Sequence, residues 1–239
     1  MSGVVVSREA VSEPLAPAAL DVPMPMRLKG VTKQWENQQP VLDSVDLDLD
    51  IGTTTRIAGR NGAGKTTLMR IAAGLIEPGQ GRAEVWGLTP AEGRERYQRL
   101  VSFLPAGDRG LYARLSVRRQ LEFWARIALI PRRQVKPRVE EALETFALGD
   151  LSSRRVDRMS MGQRQRVRIS MTFLAEPEIV LLDEPLTSLD EEGSAILFGA
   201  IERLLGSGGA VLWCSPAGER IDYSFDRTLA LEGGRLEPA

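Results

Sequence analysis

Apolar residues recur along the chain with two periods, and the switches between them mark out its elements. Val45, Leu47, Leu49 and Ile51 stand at every second position among polar residues, the pattern of a strand with one buried face. Thr53 to Ile57 forms a β-rich run, and Thr66 to Ala73 reads as a helix ending at Gly74. Gly79, Gly81 and Gly87 bracket a short strand at Ala83 to Trp86. Over residues 111–158 the texture changes. Val117, Leu121, Trp124, Ala125 and Ala128, then Val139, Leu143 and Phe146, repeat at helical spacing, with Pro131 and Pro137 expected as breaks. Beyond lie a helix at Gln163 to Leu174, a buried strand at Ile179 to Leu182, a helix at Glu191 to Leu205 and another buried strand at Ala210 to Trp213. Strands alternating with helices predict an α/β fold, a mainly parallel sheet with helices on both faces and a helical insert. Residues 1–24, rich in Ala, Pro, Val and Ser without periodicity, read as a disordered extension, so the fold is expected to begin near Met26.

Composition narrows the classes of function. The 239 residues are 43% hydrophobic and 26% charged, ordinary values for a chain with one domain and a subdomain, or two small domains. A formal net charge of -1 and a pI near 5.8 leave no electrostatic footprint for nucleic acid or an anionic membrane surface, so no nucleic-acid partner is expected. Lysine occurs only at 29, 33, 65 and 136, and arginine clusters such as Arg118/Arg119 and Arg132/Arg133 read as solvated faces. A single cysteine, Cys214, forms no internal disulfide and suits a reducing cytoplasm. Histidine is absent, which excludes histidine-based triads and metal sites. No apolar run approaches the roughly 18 to 20 residues that span a bilayer.

Chemistry enters between the β-rich run and the first helix. Gly59-Arg60-Asn61-Gly62-Ala63-Gly64-Lys65-Thr66 fits G-x-x-x-x-G-K-[S/T] at every specified position, in the strand-to-helix setting that the pattern requires. At ordinary residue frequencies a chance match in a chain this long has odds of about one in a hundred. Consecutive loop amides and a helix N-terminus attract phosphate, Lys65 adds a point charge near the β- and γ-phosphates, and Thr66 suits Mg²⁺, with Thr67 beside it. The chain is therefore expected to bind a nucleoside triphosphate. The apolar strand Ile179-Val180-Leu181-Leu182 ends in Asp183 and Glu184. A carboxylate at that point holds Mg²⁺, and a second one step beyond acts as general base on water, which assigns Asp183 to metal and Glu184 to catalysis.

A third element decides between families. Met159-Ser160-Met161-Gly162-Gln163-Arg164-Gln165-Arg166 precedes Asp183, and Ser160-x-x-Gln163 is also a capping box. With these motifs in order, residues 26 to 236 resemble the ATP-binding subunits of ATP-binding cassette (ABC) transporters. The family signature is usually LSGGQ; this chain keeps Ser160, Gly162 and Gln163 and replaces the Leu and first Gly with methionines. The resemblance implies a P-loop ATPase core with an N-terminal antiparallel β-subdomain and an inserted helical subdomain at about 111–158, the whole domain occupying 25–239. It implies ATP and Mg²⁺ as cofactors, a second ATP-binding subunit in a homo- or heterodimer, and a membrane permease as partner on the inner face of the cell membrane. Ser160, Gly162 and Gln163 would then complete the site of the opposite subunit, Asp190 would belong to the D-loop at the dimer interface, and Trp35 would stack on adenine.

Two positions depart from the family pattern. The glutamine usual near residue 106 is missing from Phe103-Leu104-Pro105-Ala106-Gly107-Asp108, where Asp108 offers the nearest oxygen. The histidine usual after the strand at Val211-Leu212-Trp213 is replaced within Cys214-Ser215-Pro216; counting back from Asp226-Arg227 favours Pro216 for its position, with Ser215 second. The segment Asp108 to Ser116 resembles the GLY-x-RLT stretch of exporter ATPases, and the chain stops soon after its last core strand. Both lean toward export of a drug, lipid or glycan-like substrate. The alternatives are a nucleotide-binding but weakly hydrolysing regulatory subunit paired with a more complete ATPase, and a non-transport ABC ATPase.

Overall fold

Two strands open the described chain, β1 (Met26–Lys33) and β2 (Leu42–Leu49), in a computed structural model that describes residues 24–36 and 39–239. Apart from Met24, the expected disordered extension lies outside those residues. The alternation seen in the sequence is the buried face of β2: Leu42, Val45, Leu47 and Leu49 point inward, as do Met26, Leu28 and Val31 of β1. Ile51 does not continue the pattern. It lies beyond the end of β2 and is 56% exposed, because the chain turns at Gly52, whose φ of 69° suits glycine.

The chain then runs through β3 (Thr54–Gly59), α1 (Lys65–Ala72), β4 (Gln80–Glu84), α2 (Pro90–Leu100) and β5 (Val101–Leu104). Next come α3 (Val117–Ile127) and α4 (Arg132–Thr145), followed by α5 (Met161–Phe173), β6 (Ile179–Asp183), α6 (Glu191–Gly206), β7 (Ala210–Pro216), β8 (Arg227–Glu232) and β9 (Arg235–Pro238). The strands form an antiparallel sheet of order β2-β1-β4 and a second of order β5-β6-β7-β3-β8-β9, parallel except for the β8–β9 pair. This is the mixed α/β fold expected.

Period-two alternation in β6 and β7 divides the core. Ile179, Leu181, Ala210, Leu212 and Cys214 face one cluster, built with α1, α2 and the antiparallel sheet, while Val180, Leu182, Val211 and Trp213 face a second cluster under α3 to α6. Strands buried on both faces read as continuous apolar runs, which is why these two were visible in the sequence. Asp183 is next on the α1 side of that alternation.

Between α3 and α5 one expectation fails. Pro131 ends one element and stands before α4, but Pro137 lies inside α4 without breaking it. Val139, Ala142 and Leu143 bury that helix in the second cluster, and this packing outweighs the one backbone bond that Pro137 forfeits.

Candidate functional site

The phosphate loop is shaped by its glycines. Gly62 and Gly64 have φ of 84° and 104°, and a side chain at Gly64 would meet the Val41 carbonyl at 2.7 Å. Gly59 ends β3 where a Cβ would lie 2.9 Å from the Leu231 carbonyl. No other residue type fits these conformations and approaches without strain. Lys65 opens α1 and is buried, its ammonium donating to the carbonyls of Gly59 at 2.7 Å and Arg60 at 3.2 Å. Ala63 N–H donates to the Arg60 carbonyl at 3.1 Å, and Arg60 and Asn61 are exposed at the loop tip. Thr67 is half-buried on α1.

Thr66 and Asp183 meet directly. The Thr66 hydroxyl donates to Asp183 Oδ2 at 2.8 Å, joining the start of α1 to the end of β6. Burial pushes the Asp183 carboxyl above its ordinary range, against the pull of the Thr66 bond, the Lys65 charge and the Ala106 backbone N–H. Glu184 follows with φ of 51°, in the left-handed region, and its N–H donates to the Cys214 carbonyl at 3.0 Å. A non-glycine residue there costs on the order of 1–3 kcal/mol and persists only where its surroundings hold it. No group of three or more His, Cys, Asp or Glu among the described residues forms a ready-made metal site. A hydroxyl and one carboxylate suit Mg²⁺, which takes its other oxygens from water and phosphate.

The two positions that depart from the family pattern sit beside this centre. The Ala106 backbone N–H helps lower the Asp183 carboxyl, while Asp108 is exposed and acts electrostatically on Arg168. Ser215 is fully buried, and its Oγ accepts from Arg56 Nε at 2.9 Å; Arg56 Nη2 also donates to the Glu219 carbonyl at 2.8 Å. Pro216 pairs in register with Gly59, at the entrance to the phosphate loop. Glu219 is raised by burial, with Arg56 lowering and Glu184 raising it.

Ser160, Gly162 and Gln163 start α5 and contact one another and the segment before α6. Ser160 Oγ accepts from Gln163 N at 3.2 Å, and Gln163 Oε1 accepts from Ser160 N at 3.2 Å, a complete capping box. A Cβ on Gly162 would lie 2.7 Å from the Ser188 carbonyl. Asp190 caps α6, its Oδ1 accepting from Gly193 N at 2.8 Å. Trp35 is 44% exposed, with the Lys33 ammonium 4.8 Å from its ring centroid. Arg168 and Gln165 were not singled out in the sequence: in an arginine-rich run, nothing distinguishes the one guanidinium that turns inward.

The model of the family described as ABC transporter matches residues 42–187. The chain belongs to the ABC transporter family. This ABC subunit is 30% identical over 212 residues to the ABC transporter ATP-binding protein NatA of Bacillus subtilis, covering 87% of this chain and 86% of NatA. It is 35% identical over 208 residues to the daunorubicin resistance ATP-binding protein DrrA3 of Streptomyces coeruleorubidus, covering 87% of this chain and 65% of that one. The phosphonates import ATP-binding protein PhnC of Rhodopseudomonas palustris is 31% identical over 222 residues, covering 87% and 82%. A solved structure of the ATP-binding subunit of an ABC transporter superposes with a TM-score of 0.80 at 27% identity, over 88% of this chain and 87% of that one. The chain is thus an ATP-binding subunit of an ABC transporter, and subunits of this family dimerise and work with a membrane permease. No helix among the described residues is long and apolar enough to cross a membrane.

Proposed function

We propose that this subunit hydrolyses ATP to drive export of a drug, lipid or glycan-like substrate through a separate permease, as a peripheral protein on the cytoplasmic face of the membrane. The observation that carries the hydrolytic part is the 2.8 Å bond between Thr66 and Asp183, which puts the phosphate loop and the Asp183–Glu184 turn at one point. Loop amides from Gly59 to Thr67 and the Lys65 ammonium bind phosphate, and Trp35 stacks on adenine. Thr66 and Asp183 hold Mg²⁺, which when bound neutralises charge on the phosphate oxygens. Glu184 takes a proton from the attacking water. Ser160, Gly162 and Gln163, with Asp190 nearby, complete the site of the opposite subunit.

The likeness to a daunorubicin resistance protein supports export, and that to a phosphonate importer stands against it. Tyr112 and Phe123 form an exposed edge-to-face pair, centroids 4.9 Å apart, that offers the permease an apolar foothold on the helical insert. A second reading, a regulatory subunit that hydrolyses poorly, is favoured by Ala106 and Pro216, which present no polar side chain where the family usually has Gln and His.

Glu184→Gln separates the two. It keeps the shape and removes the base, so it is expected to abolish hydrolysis and leave an ATP-bound dimer on size-exclusion chromatography. Hydrolysis at the parent rate in this variant would mean either that another group is the base or that the parent site is already inactive, as the second reading has it.

A further inference from the structure

We infer that Arg168 is a positioning residue of the hydrolytic centre, clamping the loop after β5 that lacks the family glutamine and tying it to the Asp183–Glu184 turn. The inference rests on the proposed hydrolytic role of that turn. Arg168 lies on α5 and is only 3% exposed. Its guanidinium is spent on three acceptors: Nε donates to the Arg109 carbonyl at 3.0 Å, Nη2 to the Pro105 carbonyl, and Nη1 to Gln165 Oε1 at 2.5 Å. Gln165, one turn back on the same helix and also buried, donates from Nε2 to the Pro185 carbonyl at 2.8 Å. A continuous path of hydrogen bonds therefore runs from the loop at 105–109 through two side chains to the residue that follows Glu184.

The path has a consequence at each end. Ala106 stands between the two carbonyls that Arg168 grips, and its backbone N–H is among the groups that pull the Asp183 carboxyl down against burial. At the other end, Pro185 carries the backbone directly after Glu184, whose left-handed conformation needs support from its surroundings. A buried charge is tolerated only where it is paired or fully hydrogen-bonded. Here the compensating groups are mostly loop carbonyls, so the guanidinium and the loop hold each other in place. Lysine has no planar fork to reach acceptors on three sides, which makes the geometry specific to arginine. An ordinary packing role would need no donor fan and would leave the loop free of the helix.

The test uses the full chain with Arg168→Met, Arg168→Lys and Gln165→Met. Hydrogen exchange without nucleotide should show the Ala106 amide exchanging at least tenfold faster in Arg168→Met, with the α5 amides unchanged, and Arg168→Lys restoring little. In steady-state hydrolysis kcat should fall about 10- to 100-fold while the ATP KM moves less than about threefold, since a displaced catalytic turn costs rate rather than binding. Gln165→Met leaves both carbonyl contacts of Arg168 and removes the bonds that Gln165 accepts from Arg168 Nη1 and donates to Pro185. It should lower kcat with Ala106 still protected, and it carries the test if Arg168→Met does not fold. An unchanged Ala106 amide in folded Arg168→Met, or parent-like kcat in both Met variants, overturns the inference. A parent that does not hydrolyse ATP defeats the proposed function instead, and the exchange experiment still decides whether Arg168 holds the loop.

Discussion

Ser215 and Pro216 were both candidates for the position where relatives of this family carry histidine, and their surroundings separate them. Ser215 is sealed in the sheet with its hydroxyl bonded to Arg56, whereas Pro216 is half-exposed, the last residue of β7, paired in register with Gly59. A side chain at 216 therefore stands at the entrance to the phosphate loop, and one at 215 does not. Pro216→His is expected to raise kcat by about 100-fold with little change in the ATP KM, because a preorganised donor aimed at developing charge is worth on that order. Steady-state hydrolysis by parent and variant checks it. No acceleration would mean that other groups already fill this role, and the weakly hydrolysing alternative would lose its support. Gly162 shows the same economy of space: with a Cβ 2.7 Å from the Ser188 carbonyl, any side chain would push the segment before α6 away from the start of α5.

At the scale of elements, Asp226 joins β8 to β3 through one carboxylate oxygen that accepts both the Thr54 N–H and the Thr54 hydroxyl at 2.8 Å. The backbone bond, then the side-chain bond, hold this carboxyl below its ordinary range. A lowered folded value contributes stability above the unfolded value, and that contribution is lost as pH falls through the folded one. Asp226→Asn should therefore unfold at lower urea than the parent at pH 7, with the gap closing below about pH 4. Parallel pH curves would show that the bond adds nothing. Which elements the sequence disclosed follows from how they are buried. β6 and β7, apolar on both faces, announce themselves, as does the phosphate loop, whose residue types are set by close approaches. α2 gives no such signal, since Tyr97 is its single buried residue, anchored by a 2.7 Å bond to the Ala72 carbonyl. β8 and β9 pair antiparallel at the sheet edge, where one exposed face dilutes the pattern. The Thr66–Asp183 meeting was implied by motif order, but the Arg168–Gln165 path was not, because a helical arginine turned inward has the same local sequence as one turned out.

For the whole molecule, pairing order is what no local pattern discloses, and it is the pairing order that builds the centre. β3 lies between β7 and β8, so the phosphate loop emerges beside the end of β7 and one strand from Asp183 on β6. Both core clusters end on these central strands. A nucleotide held by α1, the loop and Asp183 would thus be anchored to elements that separate only when the fold itself is lost, and binding must raise global stability. At a free ligand concentration one hundred times Kd the gain is about 2.7 kcal/mol. In a chain of this length that corresponds to a rise in Tm of roughly 5–10 °C. Lys65→Ala removes the one buried cation of the loop and should abolish most of that rise while leaving the nucleotide-free Tm within a few degrees of the parent. Differential scanning calorimetry with and without ATP and Mg²⁺ measures both. If Lys65→Ala keeps the full shift, phosphate is held elsewhere and the site assigned to the loop is wrong. If the parent shows no shift, the chain does not bind ATP as a folded unit.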